Sequence, residues 1–362
     1  HRLYGRILSR MALLISQYHT AQSTLAHAQE SLAIATQYDD LIEMAIAHEA
    51  ITHCHIIVDR QLDKAQTHLD HSLSLHTTDG DPFYLARIYH KIGFCHAYLG
   101  DLDAMYDYSK KALNVARTAG NVYSIGHALN NMAARDHLRG NYEAALAHTE
   151  EALRVFAGFD HTDGLATFAC TQAELRLLEG DFEGAAEVAQ GALEDAFRIE
   201  SSGAMAYALA ALSLCNSMQG DFGLAYRQTT DALSRLNAYA YPSPLVPLAI
   251  AIVSIGIEDT DNAHYYLRSA YDNMQEIQSD AGLTWLLPVM ALLTEDMGAA
   301  VAYLALARTH KLSPQGWFAN WDMLAERENV LKQALSPDTY DAHYERGTTQ
   351  SLEDTVATFW SA

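Results

Sequence analysis

Between Ile125 and Leu138 apolar side chains recur three and four residues apart, then Gly140 interrupts, and from Tyr142 to Val155 the same spacing resumes. This pattern predicts two amphipathic helices joined by a tight turn, with the glycine at a helix end, where positive φ costs little. The motif returns at a fixed step of forty residues: Gly100-Asp101-Leu102, Gly140-Asn141-Tyr142, Gly180-Asp181-Phe182 and Gly220-Asp221-Phe222. Ala112-Leu113, Ala152-Leu153, Ala192-Leu193 and Ala232-Leu233 keep that step, as do the small residues Gly93, Ala133, Ala173 and Ser213. Three independent columns at one spacing mark a repeat array. Small residues at Ala133 and Ala145 allow two helices to cross closely, and Tyr142 and Leu153 fill the space beside them. A hairpin of this size cannot bury its apolar face alone, so neighbouring hairpins must stack on it.

Taken in order, Arg2 to Tyr18 and Ala21 to Gln37 form a first hairpin without the turn glycine. Leu41 to Val58 and Leu62 to Leu75 form the second, with Asp59-Arg60-Gln61 in place of Gly-Asp. Pro82 to Leu99 and Leu102 to Ala119 follow, with Asp81 an N-cap and Pro82 at the first helical position. Units at about 121–157, 163–199 and 203–237 continue the series. Regularity weakens at Tyr241-Pro242-Ser243-Pro244, and the hairpins at Leu245–Ile255 with Asp261, and at Leu283–Leu293 with Gly298–Thr309, are shorter. From Pro314 the repeat is lost, and Ser336-Pro337 and Ser351 with Asp354 read as two further helix starts. The expected organisation is an atypical hairpin at 1–40, regular repeats at 41–240, degenerate repeats at 241–310 and capping helices at 311–362.

Composition agrees with an all-α protein: 49% hydrophobic residues and only 7 prolines. No run reaches the length of a membrane span, and no basic segment with an apolar core opens the chain. The opening His-Arg-Leu-Tyr enters a helical pattern without an initiator Met, as expected of a piece of a longer polypeptide. Twenty-three basic against 45 acidic residues leave a net charge of −22, which repels phosphate backbones and argues against direct contact with nucleic acid or an anionic membrane. Cys54, Cys95, Cys170 and Cys215 lie far apart in apolar stretches, the pattern of free buried thiols in a cytoplasmic protein.

The repeats resemble the tetratricopeptide family, with its small residue late in the first helix, its Gly-Asp/Asn-aromatic turn, and Ala early and Ala-Leu late in the second. The step of forty departs from the family's usual 34. This longer unit resembles the C-terminal arrays of STAND-class signal-transduction ATPases, including large LuxR-type activators. Tyr344-Glu345-Arg346-Gly347, Ser351-Leu352-Glu353-Asp354 and Phe359-Trp360 resemble the tail of the same proteins, which implies that the natural C-terminus is present. The resemblance implies a right-handed superhelical solenoid of antiparallel hairpins with a C-terminal helical cap. It also implies a ligand-sensing, protein-interaction role, a protein or small-molecule inducer, and an upstream nucleotide-binding domain in the same polypeptide.

No catalytic motif is present: no phosphate loop, no nucleophile elbow, no His-Glu-x-x-His. We therefore expect no enzyme and no cofactor. Fifteen of the 18 histidines precede residue 162. His53 and His55 fall on different faces of a helix. His68 and His71 share one, but spacing supplies no further ligand, and no metal is expected. In arrays of the resembled family the inner wall comes mainly from the first helix of each hairpin. Counted from the small-residue column, that wall holds Arg87, His90, Lys91, Phe94 and Tyr98, then His127, Asn130, Asn131 and His137, then Thr167, Thr171 and Glu174, and finally Tyr207. Basic, amide, hydroxyl and aromatic groups on one side of an acidic protein suit a polar ligand. Each residue has a second reading. Asn130 and Asn131 bond neighbouring backbone, Phe94 and Tyr98 pack between units, and Arg87 and Lys91 pair with acids of the adjacent hairpin.

Overall fold

The computed structural model describes residues 1–16, 21–57, 61–79, 81–99, 101–159, 162–236 and 244–360. The Asp59-Arg60 turn, Gly100 and Tyr241-Pro242-Ser243 lie outside them. All regular structure among the described residues is helical. The chain divides into two compact units, His1–Arg135 and Asp136–Ala362.

Unit 1 holds three hairpins: α1 (Arg2–Ser16) with α2 (Ala21–Gln37), α3 (Leu41–Ile57) with α4 (Leu62–Asp79), and α5 (Pro82–Tyr98) with α6 (Leu102–Ala119). The boundary falls within α7 (Val122–Leu138). Unit 2 continues with α8 (Tyr142–Ala157), α9 (Thr162–Glu179), α10 (Phe182–Arg198), α11 (Ser202–Met218), α12 (Phe222–Arg235), α13 (Leu245–Gly256) and α14 (Thr260–Glu276). It ends with α15 (Asp280–Leu293), α16 (Met297–Thr309), α17 (Gln315–Ala319), α18 (Asp322–Ala334), α19 (Pro337–Thr348) and α20 (Leu352–Phe359). Several helices outrun their apolar periodicity because caps extend them. Thus α7 starts at Val122 and not Ile125, where Asn121 Oδ1 accepts from Ser124 N at 3.1 Å.

The turn between paired helices is built the same way each time. Gly140, Gly180 and Gly220 have φ of 76°, 85° and 81°. The next residue donates its N–H five positions back: Asn141 to Asp136 at 2.7 Å, Asp181 to Arg176 at 3.0 Å, Asp221 to Asn216 at 2.9 Å. Asp181 and Asp221 then cap the following helix through Gly184 N and Leu224 N, both at 3.0 Å. In the hairpin of α13 and α14 the glycine is absent and Glu258 takes the left-handed conformation itself, at φ 62°. The small-residue column sits where the paired helices touch. A Cβ on Gly93 would lie 3.1 Å from Met105 O at the start of α6, and Ala173 and Ala185 are fully buried.

In unit 2 the C-terminal segment folds back on the turns of earlier hairpins. Ser279 Oγ donates to Leu138 O at 3.2 Å, and Tyr142 Oη donates to Leu312 O at 3.0 Å while accepting from Trp285 Nε1 at 3.2 Å. Gly316 lies so close to α9 that a Cβ there would stand 1.9 Å from Glu179 O.

Candidate functional site

Unit 1 brings polar side chains of successive first helices together. Arg87 on α5 donates to Glu49 Oε1 on α3 at 2.8 Å, and Glu49 is buried. The guanidinium is held above its ordinary pKa, chiefly by that carboxylate. One turn on, His90 is buried with its ring 4.9 Å from His127 and edge-on to Tyr123 of α7 at 6.1 Å. Burial, followed by the charges of His127, Lys91 and Arg87, pushes its pKa well down, so the ring is neutral at pH 7. The Lys91 ammonium lies 5.8 Å from the centroid of Phe94. Asn131 is buried against α5, its Nδ2 3.6 Å from where a Cβ on Gly93 would be, and Asn130 is half-buried beside it in sequence. Asn130 Oδ1, Asn131 Nδ2 and His90 Nδ1 are buried with no hydrogen-bond partner among the described residues. The side chain of Tyr98 lies outside the described residues.

In unit 2, His137 and Glu174 approach each other, with Nε2 to Oε1 at 3.9 Å. Burial lowers His137 to about 4 and raises Glu174 to about 8, so both are neutral at pH 7 and the pair is uncharged. Trp285 of α15 stacks on the His137 ring at 5.1 Å, and Tyr142 meets it edge-on. His137 is thus covered by a C-terminal helix. Thr167 is exposed and Thr171 half-buried, while Tyr207 packs against the apolar core.

Sequence reasoning left out Glu49, Tyr123 and Trp285. Tyr123 was within reach, since it stands one turn before His127 on the same helix face. Glu49 lies one hairpin before Arg87. Nothing in the repeat register points to Trp285, which reaches His137 from far along the chain. His68 and His71 share a face, as their spacing predicts, and both meet His48 of α3, with ring centroids 5.0 and 5.3 Å away. His48 Nδ1 of α3 lies 2.7 Å from His68 Nδ1 of α4, so one ring donates and the other accepts. Burial and the neighbouring rings lower both, His48 to about 4. Among the described residues no group of three or more His, Cys, Asp or Glu has the arrangement to hold a metal ion, and no helix is long and apolar enough to cross a membrane.

Residues 84–157 match the model of the tetratricopeptide repeat. No curated protein is matched by the sequence. Among solved structures the chain is similar to a Rap protein complexed with competence and sporulation factor, at 14% identity and TM-score 0.61, covering 99% of this chain and 100% of that one. NprR in complex with its cognate peptide NprX is similar at 15% identity and TM-score 0.57, covering 98% and 97%. A signal-transduction ATPase with numerous domains and a tetratricopeptide repeat sensor, from Pyrococcus horikoshii, is similar at 13% identity and TM-score 0.53. There the alignment covers 94% of this chain and 50% of that one. At these identities the likeness is one of fold. Turn, small-residue column, family match and fold agree that this chain is an all-α array of tetratricopeptide-like helix hairpins.

Proposed function

We propose that the chain is a non-catalytic sensor and interaction module, which binds a peptide or other polar inducer along the first helices of its hairpins. The observation that carries this reading is the set of buried, unpartnered polar atoms on α5 and α7: His90 Nδ1, Asn130 Oδ1 and Asn131 Nδ2. A buried polar group without a partner costs roughly 1–3 kcal/mol, and a ligand that supplies the partner recovers it. Paired side-chain amides offer both donor and acceptor, which suits the backbone of an extended segment. Lys91, whose ammonium lies 5.8 Å from the Phe94 ring centroid, adds a positive charge to an acidic protein. Arg87 is engaged by Glu49, so its role is to join α3 to α5 and orient the strip. His127 and Phe94 would line the same wall, with Tyr98 assigned to it from the sequence register alone. In unit 2, taken by itself, the corresponding first-helix positions are His137, Thr167, Thr171, Glu174 and Tyr207.

The array then signals to a nucleotide-binding domain of the same polypeptide by a population shift between stacked states. The similar fold of an ATPase with a repeat sensor supports this context. The similar folds of two proteins solved with a peptide or factor favour a second reading, a peptide-binding scaffold with no small-molecule role. Selecting binders from a library of short peptides on the intact chain tests both. Asn130→Ala and Asn131→Ala should each weaken selected peptides about tenfold or more while the melting temperature holds. Peptides that bind these variants unchanged would remove this wall from the function.

A further inference from the structure

The outer side of α1 is apolar and open. Leu3, Tyr4, Ile7 and Met11 are 71%, 48%, 48% and 41% exposed, and at 100° per residue they form one stripe. The other side of the helix is buried through Leu8, Ser9 and Ala12, and Gly5 packs on Ile34. Between the two runs a row of arginines, of which Arg2 and Arg6 bind Asp40 and Arg10 binds Glu43. A helix apolar on two opposed sides is built to lie between two layers.

Equivalent hydrogen bonds show what the stripe corresponds to in later hairpins. Ser31 Oγ donates to Gly5 O and Ser72 Oγ to Ala45 O, which aligns Gly5 with Ala45. Thr52 Oγ1 donates to Ala65 O, and Gly93 sits against Met105 O, which aligns Thr52 with Gly93 and leads into the small-residue column. In this register Ile7 and Met11 correspond to Ala47 and Ile51, Ile88 and Ile92, Ala128 and Met132, and Ala208 and Leu212. Every one of these later residues is buried, and in the pair from the fifth hairpin Phe168 is buried while Gln172 is half-buried. Where the covering element is seen, it is the second helix of the hairpin before. Ile88 and Ile92 share a cluster with Ala65 and Leu69 of α4, and Ile51 shares one with Ala28 of α2. Phe168, equivalent to Ile7, lies 5.2 Å from Phe156 of α8.

We propose that the stripe Leu3, Tyr4, Ile7 and Met11 is a hairpin-stacking surface, and that its occupant is the second helix of a further hairpin of this kind. Such a helix presents Ala and Leu one turn apart, as α4 presents Ala65 and Leu69, to the apolar ridge of α1. The chemistry of the surface is that of an internal junction and not of an end, since a terminal hairpin needs a polar outer face.

The test is to place a second copy of residues 41–80 directly before His1, which reproduces the spacing from the end of α4 to the start of α5. Far-ultraviolet circular dichroism should rise in proportion to the added length. Amide exchange across α1 should slow by about tenfold or more relative to the unextended chain. Ile7→Gln with Met11→Gln should abolish that slowing, while leaving the melt of the unextended chain unchanged. An added hairpin that stays unfolded, that fails to protect α1, or whose protection survives the double substitution would overturn the proposal. So would protection of α1 that grows with concentration in the unextended chain, which would assign the stripe to a second copy.

Discussion

Units 1 and 2 are cut from the same repeat and bury different things. In unit 1 the described apolar clusters are local: Ala65, Leu69, Ile88 and Ile92 at one junction, Ala12, Ala28, Ala50 and Ile51 at another. The unit also buries polar side chains: His48, Glu49, His90 and Asn131. In unit 2 one apolar cluster runs from Ala166 on α9 to Val356 on α20, taking in Leu248, Trp285, Leu304 and Trp317. A stack of hairpins that meets only its neighbours keeps its inner helix faces polar. When later helices fold back on those faces, they become core. The contrast teaches that the repeat specifies the junctions, and that the environment of the inner face depends on what else reaches it.

The largest expected effect breaks the continuous core. Trp285→Ala should cost about 3–5 kcal/mol, because a fully buried ring is lost along with its stacking on His137 and its bond to Tyr142. Denaturant melts measure it, and a cost under about 1 kcal/mol would show that α15 is not integral to unit 2. In unit 1 the comparable change is polar. Arg87→Ala leaves Glu49 buried without its partner, and should cost about 2–3 kcal/mol, below the fully buried case because the guanidinium is partly exposed. Glu49→Gln with Arg87→Ala should restore part of the loss.

Turn glycines sharpen the comparison at smaller scale. Gly120 and Gly180 both have positive φ, so Ala at either strains the backbone by about 1 kcal/mol. A Cβ on Gly120 meets nothing within 4 Å, whereas on Gly180 it would lie 2.5 Å from Gly316 O. Gly180→Ala should therefore cost about 1–2 kcal/mol more than Gly120→Ala. Equal melting temperatures would mean that the segment carrying α17 shifts freely.

Acidity separates the units in a different way. Glu174 is raised to about 8 from 4.5, so the folded chain holds a proton that the unfolded chain releases, and stability falls as pH rises across that window. His137 and His48 are lowered to about 4 from 6.5, so stability falls as pH drops across theirs. Unit 2 thus loses stability on both sides of a middle range through Glu174 and His137. Unit 1 loses it on the acid side, through His48, His68 and His90. All four tryptophans lie in unit 2, so their fluorescence follows that unit while circular dichroism follows both. Glu174→Gln should flatten the alkaline decline in the fluorescence melt and leave the acid decline in place. The smallest effect on stability belongs to Asn131→Ala, within about 1 kcal/mol, since its Nδ2 has no partner to lose. A larger loss would make Asn131 a joint between hairpins.

The sequence by itself determined the repeat: the hairpins, their glycine turns, the small residues at the helix crossings and the Asp81 cap all follow from local rules of φ, capping and apolar spacing. Those rules act within a few residues, or at one fixed step, and a single chain displays them. It also placed Arg87, His90 and His127 on one side of successive helices, where Arg87 meets Glu49 and His90 meets His127. Only tertiary structure decided that His137 would be covered by Trp285, and that Gly316 would press on Glu179. These contacts join residues far apart in the chain, through helices outside the repeat register. Their pairing is selected by shape and burial in the assembled unit, and no periodicity along the chain encodes it.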